Sequence, residues 1–160
     1  MAFPSVAGAQ MTKAYRLGVL AQDLQPGLLE TVREELVRLG HVEGRNITID
    51  VRNAAGRSDR LPALAEELLR LKVDVILAVN TPSARAAKKA TSTVPIVIMR
   101  VADPVGQGLV ASLARPGGNV TGVAFMPDEL AAKGIQLLHE VAPSITRVGA
   151  LYKEDNPGGL

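Results

Sequence analysis

Thr81 and Pro82 begin the segment whose residue types best suit ligand binding. Threonine is a favoured N-cap, and proline fits the first turn of a helix because its missing N–H would have no partner there. With Thr81 as the N-cap, the N–H groups of Ser83 and Ala84 would face outwards beside the Thr81 and Ser83 hydroxyls. Free N–H groups and the positive end of a helix dipole attract anions. The segment predicts either a carboxylate site or only a well-capped helix.

Asp103 is the second residue suited to ligand binding. It follows an apolar run typical of a buried strand and precedes Pro104. Across a crevice from an anion site, its carboxylate would receive an ammonium group, and a zwitterionic amino acid would satisfy both sites. The alternative is that Asp103 only starts the Asp-Pro turn, since aspartate side chains bond to their own backbone in turns. Both interpretations stay open.

Further polar residues follow other predicted strands. In an open doubly wound sheet, ligands bind outside the carboxyl ends of the strands. Gln22 and Asp23 would lie there beside the first strand, although turn formation is their more frequent role, and Asn80 would lie beside the third. This rule selects four loops as candidate ligand contacts, namely residues 22–27, 53–58, 80–83 and 100–106.

No residue grouping in the sequence indicates catalysis, a metal or a cofactor. The run from Gly106 to Ala111 matches the dinucleotide pattern G-x-G-x-x-A, but the turn at residues 115–118 leaves too short a helix for a nucleotide-binding crossover. His41 and His139 have no spacing that joins them to a nucleophile or to metal ligands. The chain has no Cys, no G-x-S-x-G elbow and no P-loop. We therefore expect a binding protein and not an enzyme.

Composition argues against nucleic-acid binding. The 160 residues contain 18 Lys and Arg against 16 Asp and Glu, and the small basic excess is spread along the chain. Base stacking needs aromatic side chains, and the chain has two Tyr and two Phe. Its apolar content of 47% is instead typical of a globular domain.

The amino terminus has two interpretations. Ala7, Gly8 and Ala9 match the A-x-A pattern at which secretory signals are cleaved, but the basic and apolar regions that should precede it are missing. Residues 1–14 are therefore either the remnant of an export signal or a flexible tail.

Hydrophobic periodicity predicts strands that alternate with helices. We expect strands at residues 15–21, 46–52, 74–79, 95–99, 120–125 and 147–152, and helices at 28–39, 61–68 with a Ser58 cap, 82–91, a short one to 113, and one after Phe125. This alternation predicts an α/β fold with a doubly wound, mainly parallel sheet, in the order 2-1-3-4-5. A final strand without a covering helix is an incomplete unit, so we expect a truncated chain, and the alternative is a tail that docks on the first lobe.

Several motifs, in the same order, closely resemble the ABC transporter substrate-binding proteins of the tryptophan/tyrosine-binding type. They are residues 61–68 (LPALAEEL), 72–76 (KVDVI), 81–84 (TPSA), 90–97 (ATSTVPIV), 103–106 (DPVG) and 113–122 (LARPGGNVTG). Arg100 departs from this resemblance, because a smaller residue is expected there. A basic side chain near the crevice would favour a different acid.

The resemblance implies a type I periplasmic-binding-protein fold, in which two Rossmann-like lobes close on a ligand. Residues 15–125 would form the first lobe with its crossing strand, and residues 126–160 the first helix and strand of an incomplete second lobe. The implied function is the solute-binding component of an ABC importer outside the cytoplasmic membrane, with an amino acid or similar small carboxylate as ligand and the permease as partner. Apolar residues of the incomplete lobe would favour self-association.

Two other functions remain as alternatives. An effector-sensing domain of a transcription regulator shares the lobe architecture, but would follow an N-terminal helix-turn-helix. An enzyme on a doubly wound sheet ranks third, because no catalytic grouping is visible.

Overall fold

A five-stranded parallel sheet forms the centre of the computed structural model, which describes residues 14–125 and 127–149. The strands are β1 (Tyr15–Ala21), β2 (Ile47–Asn53), β3 (Val75–Val79), β4 (Ile96–Ala102) and β5 (Val120–Phe125). Their order is β2-β1-β3-β4-β5, with every neighbouring pair parallel. The predicted strand order and α/β fold are confirmed.

The described residues also form four helices. They are α1 (Leu28–Arg38), α2 (Leu61–Arg70), α3 (Thr81–Ala90) and α4 (Pro127–Val141), and a single 3-10 turn at Ser58–Arg60 precedes α2. Helix α1 packs on one face of the sheet against β1, β2 and β3, whereas α2 and α3 cover the opposite face. The sheet is therefore doubly wound: the helix that follows β1 lies on one face, and the helices that follow β2 and β3 lie on the other.

The larger half of the core lies beneath α2 and α3. Leu68 of α2 is fully buried, and it packs with Val73 over Gly18 of β1. A Cβ on Gly18 would lie 3.1 Å from side-chain carbons of both residues, so the glycine lets α2 approach the strand closely. Because each buried leucine contributes about 1.5–3 kcal/mol, this side of the sheet provides much of the stability.

The connection from β4 to β5 corrects one prediction. The short helix expected up to Leu113 is not formed, and residues 104–108 are turns. Leu109 and Val110 are buried against the core, and the Lys88 ammonium donates a hydrogen bond to the Leu109 carbonyl oxygen at 2.8 Å. Apolar burial and one lysine bond thus hold a segment that is too short and too rich in glycine for a regular helix.

Strand β4 is longer than predicted and contains a bulge. Ile98 pairs with Gly122 and Val101 with Ala124, so β4 has one residue more than β5 between these pairs. Arg100 has a φ of 56°, in the left-handed region. Gly122, at φ 139°, faces the bulge so closely that a Cβ there would lie 2.6 Å from the Ile98 amide nitrogen. The bulge therefore requires glycine at position 122.

Two further predictions concern the segments around the helices. Ser58 does not cap α2, because it begins the 3-10 turn and Arg60 occupies the N-cap position. Residues 147–149 are not in a strand, and residues 150–152 of the predicted sixth strand lie outside the described residues. Within the described ranges, no helix is long and apolar enough to span a membrane, and no cluster of potential metal ligands occurs.

Candidate functional site

The carboxyl edge of the sheet brings the predicted polar loops together. Strands β1, β3 and β4 end side by side at Ala21, Val79 and Ala102, so the residues that follow them share one edge. Since α1 and α3 follow the adjacent strands β1 and β3 and lie on opposite faces of the sheet, a crevice between their loops is expected there. Gln22, Asn80 and Asp103 all lie at this edge, as the sequence predicted.

Asn80, and not Thr81, is the N-cap of α3. The Asn80 side-chain oxygen accepts hydrogen bonds from the Ser83 N–H at 3.3 Å and from the Ser83 hydroxyl at 2.9 Å, and the Ala84 N–H donates to the Asn80 carbonyl. The expectation that the N–H groups of Ser83 and Ala84 face outwards unpaired is therefore wrong. Asparagine and threonine are both good N-caps, so the Asn-Thr-Pro-Ser order left the choice open.

Thr81 has a different local partner from the one predicted. Its hydroxyl oxygen accepts a hydrogen bond from the Ala102 N–H at 3.3 Å, and the residue is 2% exposed. The bond connects the start of α3 to the end of β4 across the sheet edge. Thr81 thus fixes the relative position of Asn80 and Asp103, while its predicted contact with a ligand carboxylate stays a prediction.

Gln22 is the buried polar side chain of the first loop. It is 5% exposed, and its amide nitrogen donates to the Ser58 hydroxyl at 2.6 Å. The Gln22 carbonyl accepts from the Gly56 N–H, so the loops after β1 and β2 are joined by two bonds. Asp23, by contrast, is exposed. The link through Ser58 was not predicted, because nothing in the local sequence pairs residues 36 positions apart.

Asp103 adopts the turn that the alternative interpretation predicted. Its side-chain oxygen accepts a hydrogen bond from the Gly106 N–H at 2.9 Å, and its φ is 38°. A Cβ on Gly106 would overlap the Asp103 carboxylate, so any larger residue at position 106 would require that side chain to move. One carboxylate oxygen can serve the turn while the other accepts from a ligand, because a carboxylate has about four acceptor sites. The turn therefore leaves the ammonium-binding role possible.

Exposed charges border the same edge. The Arg57 guanidinium hydrogen bonds to the Asp59 carboxylate at 3.0 Å, and this bond holds the pKa of Asp59 below its ordinary value and raises the pKa of Arg57.

A shallow pocket of about 230 Å³ lies between the first turns of α2 and α3. Its lining includes Ser58, Thr81 and Arg85.

The backbone of Asn80 is strained, which leads to a testable prediction. Its φ of 78° and ψ of 165° fall in a region that glycine alone adopts easily. Asn80→Ala keeps the strain and removes the cap, so we expect the free energy of unfolding to fall by about 1–2 kcal/mol. Asn80→Gly relieves the strain, and the change of N-cap lowers the free energy of unfolding by only about a few tenths of a kcal/mol. In urea unfolding, the free energy of unfolding of the glycine variant should equal or exceed that of wild type. A glycine variant less stable than the alanine variant would contradict this account.

The open parallel sheet and its polar carboxyl edge define a class, the α/β ligand-binding lobe. The sequence model of the ABC transporter substrate binding protein family matches residues 22–157, and the chain belongs to this family. A tyrosine-binding protein from Clostridioides difficile (strain R20291) is 40% identical over 114 residues, which are 71% of this chain and 32% of that protein.

Two solved structures share the fold. A conserved domain protein from Vibrio cholerae has a TM-score of 0.82 and 31% identity, and the match covers 90% of this chain and 49% of that one. An ABC domain from Streptococcus pneumonia in complex with L-Trp has a TM-score of 0.80 and 28% identity, with the same coverage of 90% and 49%. The chain spans about a third of the curated relative and about half of each solved chain.

Proposed function

We propose that residues 15–125 form one lobe of a two-lobe substrate-binding protein, and that residues 126–160 begin the second lobe. The similar solved chains are about twice as long as the matched region, which supports a second lobe in proteins of this kind. Helix α4 also supports it, because Ile135, Leu137 and Val141 are 59%, 48% and 84% exposed. Apolar side chains on a helix normally pack against a partner, and a second lobe would supply one.

The ligand of this lobe is an amino acid or similar small carboxylate. The observation that carries this proposal is the convergence of Gln22, Asn80 and Asp103 at the carboxyl ends of three adjacent strands. Such an edge binds ligands in open α/β sheets. The relatives named above as tyrosine-binding and as an L-Trp complex support the same ligand class. The proposed set of site residues is Gln22, Asp23, Asn80, Thr81, Ser83, Ala84 and Asp103, in which the buried Ser83 and Ala84 would act through the Asn80 cap and not through free N–H groups.

The proposed role is capture and delivery without chemistry. The protein would work outside the cytoplasmic membrane and hand its ligand to the permease of an ABC importer, as membership of the family supports.

An NMR titration of the 160-residue chain tests the ligand class, because chemical shifts detect weak binding by a single lobe. L-tryptophan, L-tyrosine and L-glutamate should each be tried to millimolar concentration. We expect at least one to shift the amide resonances of residues 22–23, 80–84 and 103–106 in a saturable manner. If no amino acid shifts these resonances, the proposal is wrong.

Asp103→Asn tests the ammonium partner in the same assay. Asparagine retains the side-chain oxygen that accepts from Gly106, so the fold should hold, but it removes the charge. A hydrogen bond to a charged group is worth about 1.5–3 kcal/mol, and we expect about tenfold or greater loss of affinity for the amino acid bound by wild type. Asp59→Asn, which removes an exposed charge at the same edge, is the control and should bind like wild type. Equal affinity for Asp103→Asn and Asp59→Asn would leave Asp103 a turn residue only.

A further inference from the structure

Unfavourable backbone conformations are concentrated at the carboxyl edge of the sheet. Among the described residues, five other than glycine have positive φ, namely Ala55, Lys72, Asn80, Arg100 and Asp103. Of these, only Lys72 lies away from this edge, in the turn between α2 and β3. Residues other than glycine are held in the left-handed region at a cost, and such strain is typical of binding sites.

Arg100 is the largest side chain in this group and the least expected in its position. It lies in the bulge of β4, where the shift between the Ile98 and Val101 pairs inserts it as an extra residue. Bulges reorient side chains and are frequent next to functional sites. The bulge depends on both strands, because β4 supplies the extra residue and β5 supplies the glycine at position 122 that fits against it.

The bulge lies beside the candidate ligand residues. The Asn80 N–H donates to the carbonyl of Met99, the residue before Arg100, at 2.8 Å. Asp103 follows three positions later, after the buried residues Val101 and Ala102. Arg100 is exposed, and among the described residues no ion pair involves it. The described chain thus gives the strained arginine no acidic partner.

We propose that Arg100 binds a carboxylate of the ligand, as the cationic counterpart of Asp103. This inference rests on the function proposed above. The Asn80 cap already occupies the N–H groups of Ser83 and Ala84, so the start of α3 does not offer them to an anion. A guanidinium binds a carboxylate through two parallel hydrogen bonds. Arg100 and Asp103 then match the two opposite charges of an amino acid and determine specificity for acids over their amides.

Arg100→Gln removes the charge and keeps a polar side chain. In the 160-residue chain, NMR titrations with L-tryptophan, L-tryptophanamide and L-glutamate should be compared between this variant, wild type and Arg115→Gln. Arg115 precedes β5 at the opposite edge of the sheet, so its variant loses the same charge away from the site. We expect Arg100→Gln to weaken binding of the two acids about tenfold to hundredfold and to leave the affinity for L-tryptophanamide unchanged. Arg115→Gln should bind all three compounds like wild type.

Arg100→Gly separates binding from folding. Glycine accepts a φ of 56° without strain, so its melting temperature should equal or exceed that of wild type while its affinity for the acids falls as in Arg100→Gln. A loss for L-glutamate alone would support Arg100 as the partner of a side-chain carboxylate. Binding of both acids by Arg100→Gln with wild-type affinity would overturn the role of Arg100 and leave the proposed function intact. Wild type that binds none of the probes would overturn both proposals.

Discussion

Gly122→Ala is expected to lower the free energy of unfolding by about 3 kcal/mol or more. The new Cβ would overlap the Ile98 carbonyl oxygen and lie 2.6 Å from the Ile98 nitrogen, and both are backbone atoms of a paired strand. The φ of 139° is also unfavourable for alanine. Relief requires β4 and β5 to separate, and overpacking that moves backbone costs about 1–3 kcal/mol or more.

Urea unfolding followed by circular dichroism measures this effect. Gly118→Ala is the matched control, because Gly118 lies in the turn before β5 with no atom near its would-be Cβ. Its free energy of unfolding should stay within about 0.5 kcal/mol of the wild-type value. If Gly122→Ala and Gly118→Ala unfold at the same urea concentration, the bulge does not have the described geometry.

Leu68→Ala should have the second large effect, because it is expected to lower the free energy of unfolding by about 2–5 kcal/mol. Leu68 is 0% exposed beneath α2, and its removal leaves a cavity over Gly18 that rigid neighbours fill only in part. Leu113→Ala removes the same atoms from a side chain that is 61% exposed. We expect that control to change stability by less than about 0.5 kcal/mol.

The same denaturation measurements decide the Leu68 prediction. The dependence of the free energy on urea should remain that of wild type, because the variant alters the native core and not the surface exposed on unfolding. A Leu68→Ala protein as stable as Leu113→Ala would place Leu68 at the surface and contradict the packing of α2 on β1.

The sequence predicts the sheet well because burial determines its pattern. Residues 75–79 lie in the middle strand and are apolar throughout, and such runs are typical of strands covered on both faces. The alternation of Ile47, Ile49 and Val51 with polar residues likewise identifies the edge strand β2. Parallel order then follows from the helices between the strands.

Features that depend on contacts distant in sequence were not predictable. The segment after Asp103 was expected to be helical, but its conformation depends on the burial of Leu109 and Val110 and on the hydrogen bond from Lys88. The bulge at Arg100 depends on Gly122, a residue of another strand. A local pattern contains no information about either contact.

The candidate site was predicted in location but not in its hydrogen bonding. The rule for parallel sheets located Gln22, Asn80 and Asp103 at one edge. It could not choose between Asn80 and Thr81 as the cap, since both precede Pro82 and both accept hydrogen bonds. The role of Thr81 depends on Ala102, which is 21 residues away in the sequence.

The parallel order of the sheet has a consequence for how the chain folds during synthesis. Strand β1 is synthesised first and lies between β2 and β3 in the sheet. It can therefore pair on both sides only after residues 47–53 and 75–79 have been synthesised. No strand in the described residues can pair early through a hairpin, and pairings between distant residues form slowly. The sheet of this lobe can therefore be completed only after β5, at residues 120–125, has been made.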